Sequence, residues 1–238
     1  MDTKKFIYLP GSVYQINKFL EDNSVEEKDI LIIGSNSEAF AEEFLAQKAR
    51  TVIIIVDDND TLVRSRFILS SKKKISVRMM EYTNTDFNDA SFDFVYAQAS
   101  ISTHARKKIL KEIKRILRPD GILCCSEIVN LEQDVPKYIN DLRENSGIEA
   151  LWVNELNDFY IKAGFEIVSE ENLSNRLQNF YRDSSRLLED NKEDLTESEK
   201  SYYRRTLKMM SHEPNAYLDL GGFRFMGLKM LTVRKSAQ

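Results

Sequence analysis

Apolar and polar residues follow two rhythms along this chain. An unbroken apolar run, Ile30 to Ile33, ends at Gly34, and a polar stretch of Ser35, Asn36, Ser37 and Glu38 follows it. Ala39, Phe40, Phe44 and Leu45 then recur at helical spacing. A second apolar run, Thr51 to Val56, is rich in β-branched residues and is closed by Asp57 and Asp58. Short continuous apolar runs suit parallel strands covered on both faces, whereas apolar residues three and four apart suit a helix lying on a sheet. The pattern predicts strand, turn, helix and strand, which is half of a nucleotide-binding βαβ unit. Where a full glycine fingerprint has three glycines, this turn keeps only Gly34.

The same two rhythms organise the rest of the chain. Pro10 and Gly11 interrupt it early, and Val13, Ile16, Phe19 and Leu20 then predict a short helix before the first strand. A helix is expected over 60–71, with Asp60 as its cap and Leu62, Phe67, Ile68 and Leu69 as its buried side. A strand over 75–82, a polar turn through Asn84, Thr85, Asp86 and Asn88, and a strand over 92–98 follow. The helix over 106–117, carried by Ile109, Ile113, Ile116 and Leu117, stops at Pro119, Asp120 and Gly121 and gives way to a strand over 121–129. A helix over 156–163 ends at Gly164, and a strand begins at Phe165. Residues 173–210 break the alternation, being polar, helix-rich and marked by Tyr181, Tyr202 and Tyr203. The run 223–235 returns to a strand pattern suited to an antiparallel closing strand. Alternating strands and helices imply a doubly wound α/β fold with right-handed crossovers.

Composition narrows the function classes. At 238 residues the chain is long enough for one domain with an insertion. Its charged fraction of 30% and net charge of -4 give no electrostatic footprint for a nucleic acid. The two cysteines, Cys124 and Cys125, are neighbours in an apolar strand. They point to opposite faces, so they read as core thiols of a reducing compartment. The start of the chain lacks a signal-peptide core, and no apolar run approaches the roughly 20 residues of a membrane span. A cytoplasmic protein without a membrane partner is the expectation.

Residues 92–128, FDFVYAQASISTHARKKILKEIKRILRPDGILCCSEI, set a strand, a helix, a Pro-Gly stop and a strand in an order that resembles the class I S-adenosylmethionine-dependent methyltransferases. In that family a turn like leucine-lysine-proline-glycine-glycine precedes the fifth strand, and Arg118, Pro119, Asp120 and Gly121 stand in its place. LNDFYIKAGFEIV (156–168) and GGFRFMGLKMLTVRK (221–235) look like the family's later helix and strands. LPGSVYQINKFLE looks like its N-terminal cap helix. The resemblance implies a Rossmann-like, mostly parallel seven-stranded sheet in a single domain over 1–238. It also implies a cap region over 1–29 and a helical insertion over 173–220 in the position of a substrate lid.

It further implies S-adenosylmethionine as cofactor and a small-molecule methyl acceptor, in a monomer or homodimer that needs no metal. Gly34, Ser35 and Asn36 would form the first cofactor turn. Asp57, with Asp58 beside it, would accept from both ribose hydroxyls. Glu81 and Tyr82 would receive the adenine, and Ala97 and Gln98 would lie beside the transferred methyl group. His104 is the candidate catalytic base, and Tyr14, Tyr181 and Tyr202 are candidate substrate contacts. Each has a plainer reading: strand-end acids that cap a helix, a surface glutamate, a non-catalytic histidine, tyrosines that pack. His212 reads as a surface residue. Ile32 replaces an acid that the family often carries before the turn, and Asn36 and Glu38 replace glycines. These departures keep a second function open, a methyltransferase-like scaffold or partner subunit without cofactor. A dinucleotide-dependent oxidoreductase is the weaker third.

Overall fold

The computed structural model describes residues 9–191 and 212–236. Its strands are β1 (Asp29–Ile33), β2 (Thr51–Val56), β3 (Ile75–Met79), β4 (Phe92–Gln98), β5 (Leu117–Asn130), β6 (Leu151–Trp152), β7 (Phe165–Asn172) and β8 (Met226–Lys235). They form one sheet in the order β3-β2-β1-β4-β5-β8-β7. The two-residue β6 pairs with β5 and makes the eighth strand that the sequence pattern does not reveal. β1 to β5 run parallel, and β8 lies antiparallel between β5 and β7. The helices are α1 (Ser12–Asp22), α2 (Glu38–Ala46), α3 (Asn59–Ile68), α4 (Arg106–Ile116), α5 (Lys137–Asn145), α6 (Leu156–Lys162) and α7 (Ser174–Asn191).

The period of two along each strand divides the core. Ile30, Ile32, Val52, Ile54, Phe94 and Tyr96 face one side, where Ile16 and Phe19 of α1 and Phe40 and Phe44 of α2 cover them. The Tyr96 ring meets Phe44 edge-on at 5.4 Å between centroids. Leu31, Ile33, Val95, Ala97 and Leu123 face the other side, under Ile109 and Ile113 of α4 and Leu156 and Tyr160 of α6. Cys124 and Cys125 fall one in each core, both free and buried. Burial pushes the Cys124 thiol up to about 12.

Several expected boundaries and one expected face change, and the helix expected over 60–71 ends at Ile68. β3 stops at Met79 and β8 begins at Met226, because Gly222–Arg224 form a short helical turn. β5 begins at Leu117, so the Pro119 to Gly121 turn is built into the strand. Asp120 takes φ 60° there, and a Cβ on Gly121 would lie 2.9 Å from the Arg118 carbonyl oxygen. On α3, Ser65 and Leu69 are buried whereas Phe67 is 82% exposed and Ile68 is exposed. Leu62, Ser65, Arg66 and Leu69 share one helical face, and Arg66 anchors it by donating to the Val77 carbonyl of β3 at 3.0 and 3.1 Å. Phe67 then falls on the opposite face. The same bonds occupy an outward carbonyl of the edge strand, which blunts it as a template for pairing.

At the amino ends of the strands, Asp29 collects Arg50, Thr51 and Arg118, and Arg118 continues to Asp93 at 2.6 Å. The Arg50 guanidinium, with Thr51 and Arg118, holds the Asp29 carboxyl well below the usual carboxylate range, against the opposing effect of burial. A carboxyl depressed in the folded state adds stability above its unfolded value, and that stability is lost as pH falls through the acid range. Asp29→Asn is therefore expected to lower the melting temperature at pH 7. It should also flatten the loss of stability between about pH 4 and pH 2, as followed by circular dichroism.

Candidate active site

The carboxyl ends of β1, β2, β4 and β5 converge at the opposite edge of the sheet. Gly34 leaves β1 at φ 120°, and a Cβ there would sit 2.7 Å from the Ser100 Cβ, so the close approach of the two loops excludes any side chain. Hydrogen bonds fix this floor. The Gly34 amide donates to Ile55 O at 3.0 Å, and Ser100 Oγ donates to Ile33 O at 2.6 Å. Ser37 precedes α2 and turns its hydroxyl to Gly34 O at 2.8 Å instead of onto the first amides of its own helix. Among the described residues no side chain caps those amides, which leaves the first donors of α2 without a side-chain partner.

The side chains that replace glycines in this turn are turned away from it. Asn36 takes the left-handed conformation at φ 58°, which asparagine tolerates better than most residues, and its amide oxygen accepts from Arg64 at 2.6 Å. Glu38, in the first turn of α2, accepts from Ser65 Oγ at 2.5 Å. Ile32 is fully buried in the core under α1 and α2, so the place of an acid is taken by a packing residue.

At the end of β2 the two aspartates divide their work. Asp58 is the N-cap of α3 and accepts from the Thr61 amide at 2.8 Å, which assigns it the role expected of Asp60. Burial opposes its ionisation, but Thr61 and the charge of Arg64 hold its carboxyl below the ordinary value. Asp57 is exposed and receives only the Tyr82 hydroxyl, at 3.3 Å. Burial, together with the charge of Asp57, raises the Tyr82 phenol, so it stays protonated and donates. Glu81 is exposed beside it. Asp57, Glu81 and Tyr82 thus stand together where the resemblance places an adenosine.

β4 ends under strain. Ala99 has φ 51°, and its amide is held by Ser126 Oγ at 2.9 Å. Ala97 is buried beneath it. Gln98 is committed elsewhere: its amide donates to the carbonyls of Pro10 and Ser12 at 2.8 and 3.0 Å and holds the start of α1, so it positions the cap instead of facing a ligand. His104 is exposed in the turn before α4 and has no hydrogen-bond partner among the described residues.

The loop after β4 is anchored by a group that the sequence pattern leaves unmarked. Glu127 of β5 is 0% exposed and accepts from Ser102 Oγ, from Arg106 Nε at 2.9 Å and from the Tyr160 hydroxyl at 2.6 Å. Arg106 is itself 3% exposed and bridges onward to the Glu149 carbonyl. An acid inside the apolar run CCSEIV was the available signal.

The substrate candidates separate. Tyr14 donates to Glu171 on β7 and lies under the Arg176 guanidinium at 4.4 Å, so it joins α1 to the far edge of the sheet. Tyr181 is buried and packs on Tyr217 at 4.5 Å between centroids. Tyr202 and Tyr203 lie outside the described residues. His212 is exposed. Among the described residues, no group of His, Cys, Asp and Glu is gathered to hold a metal, and no helix is long and apolar enough to cross a membrane.

Residues 31–125, which contain the turn, Asp57 and the strained end of β4, match the family model of the methyltransferase domain. Over 99 residues, 38% of this chain, the sequence is 32% identical to sterol 24-C-methyltransferase of Eremothecium gossypii, and it spans about a quarter (26%) of that protein. Solved structures share the methyltransferase fold at low identity. The cyclase SpnF superposes with a TM-score of 0.77 at 18% identity, over 95% of this chain and 82% of that one. A phosphoethanolamine N-methyltransferase of Haemonchus contortus, in complex with phosphomonomethylethanolamine and S-adenosylhomocysteine, gives 0.80 at 12%, over 98% of this chain and 55% of that one.

Two outcomes are expected at this site. Gly34→Ala forces a side chain into the Ser100 contact at a φ that disfavours it, and is expected to cost about 1–3 kcal/mol in denaturant unfolding. Glu127→Ala strands the Arg106 guanidinium in the core, and is expected to cost about 3–5 kcal/mol in the same measurement.

Proposed function

We propose that this methyltransferase domain binds S-adenosylmethionine at the turn after β1 and transfers its methyl group to a small-molecule acceptor. The observation that carries this reading is the state of the turn: Gly34 is packed on Ser100, and Asn36 and Glu38 are both bonded away to α3. The residues therefore fit the cofactor. The uncapped amides of α2 face the space where an anionic or hydroxyl group is stabilised by a helix start. Asp57 has carboxylate oxygens free to accept from both hydroxyls of a ribose. Tyr82 orients Asp57 and offers a ring edge to a base, and Glu81 accepts from an exocyclic amine.

When bound, S-adenosylmethionine supplies an electrophilic methyl group on a sulfonium. This chain's contribution is positioning. The bonds from Ser100, Ser126 and Glu127 hold the loop after β4 rigid beside the turn, and in-line orientation accounts for much of the barrier reduction in a transfer of this kind. His104 is the proton acceptor for an acceptor molecule that needs one.

A second reading is a domain that keeps the fold and lacks methyl transfer. The burial of Ile32 in place of an acid favours it, and so does the presence of a cyclase among the structures that share the fold.

Isothermal titration of the full chain with S-adenosylhomocysteine separates the two. One site per chain is expected, and no heat at millimolar ligand overturns the first reading. Asp57→Ala removes two charge-assisted hydrogen bonds and is expected to weaken binding by about 10- to 100-fold. Unchanged affinity in that variant removes Asp57 from the site.

A further inference from the structure

We propose that Arg64 and Ser65 of α3 are positioning residues for the cofactor turn, each holding back a side chain that would otherwise occupy the cofactor's space. This rests on the reading of the turn as a cofactor site. Glycines in such a turn let the backbone approach the ligand and leave the helix start free for its negative or hydroxyl groups. Here two of those positions carry side chains. Asn36 would extend over the backbone that the ligand approaches, and Glu38 would set a negative charge at the helix start that favours the ligand's own carboxylate.

Two adjacent residues of α3 tether both side chains, and Glu38 keeps its charge but directs it to the Ser65 hydroxyl. Arg64 donates to the Asn36 side-chain oxygen at 2.6 Å, and Ser65 donates to the Glu38 carboxylate at 2.5 Å. Ser65 is 1% exposed, so little water competes for its hydroxyl, and a bond to a charged acceptor in such a setting is among the stronger ones. The next residue, Arg66, fixes the same turn of helix to the Val77 carbonyl of β3. Three consecutive side chains thus tie the glycine-poor turn to the rigid edge of the sheet. The burial of a serine on the inner face of α3, where a hydrophobic residue would serve packing, has its explanation in this bond. The arrangement replaces the missing glycines by restraint from a neighbouring helix.

The test is a double-mutant series read by titration with S-adenosylhomocysteine, with thermal melting as a check on folding. Arg64→Ala is expected to weaken binding by about threefold and Ser65→Ala by about tenfold, the exposed bond being the weaker of the two. Asn36→Gly combined with Arg64→Ala, and Glu38→Gly combined with Ser65→Ala, are expected to return affinity to within about twofold of wild type. A purely structural role for α3 predicts no such rescue. Losses that persist in the double variants, or single variants that bind as wild type does, overturn the proposal while leaving the cofactor reading in place. Absence of binding by the wild-type chain overturns both. Should Ser65→Ala prove too unstable to measure, the Arg64 and Asn36 pair alone decides, because both side chains lie at the surface of the turn.

Discussion

The contact between Gly34 and Ser100 is the constraint on which the site depends. Two loops that leave neighbouring parallel strands must pass within van der Waals distance, and the absence of a side chain at Gly34 permits it. The Ser100 and Ser37 hydroxyls lock the approach, and Ser126 holds the strained Ala99 beside it. With the turn fixed, the start of α2 follows it without a side-chain cap, and Asp57 and Tyr82 meet just past the carboxyl ends of β2 and β3. Strain at Ala99 is tolerated because buried groups on both sides determine its position, and Glu127 secures the rest of the loop from within the core.

Fold and site were legible in the sequence to different degrees. The strand order was legible because a parallel sheet covered on both faces writes unbroken apolar runs, such as Thr51 to Val56, and because the Arg106 to Ile116 helix carries a strong period. Boundaries were less so: Pro119 to Gly121 reads as the end of a helix, yet the chain is already in β5 there. The buried side of α3 was read correctly at Leu62 and Leu69 but not at Phe67 and Ile68, because hydrogen bonds from Ser65 and Arg66 decide which face turns inward. β6 has only two residues and leaves no pattern.

Gly34 and Asp57 lie where the sequence pattern puts them, at the carboxyl ends of β1 and β2. The site was not legible at Asp58, Gln98, Tyr14 or Tyr181, whose side chains are committed to a helix cap, a loop, another strand and a ring stack. Apart from the local cap at Asp58, such commitments arise from residues far away in sequence, as between Gln98 and Pro10 or between Tyr14 and Glu171. Asn36 and Glu38 show the same effect with the opposite sign. By residue type they look incompatible with a cofactor, yet both are bonded to α3. Under the proposed function, loss of a glycine motif does not by itself mark loss of the ligand. What counts is where the substituted side chains are bonded.

The central claim is that the eroded turn still receives the cofactor, and a crystal structure of the chain with S-adenosylhomocysteine tests it most directly. The account predicts the ligand's ribose hydroxyls on Asp57, its amino-acid end against Gly34 and the start of α2, and Glu38 still bonded to Ser65. A ligand bound elsewhere, or a turn into which Asn36 or Glu38 has swung, would contradict it.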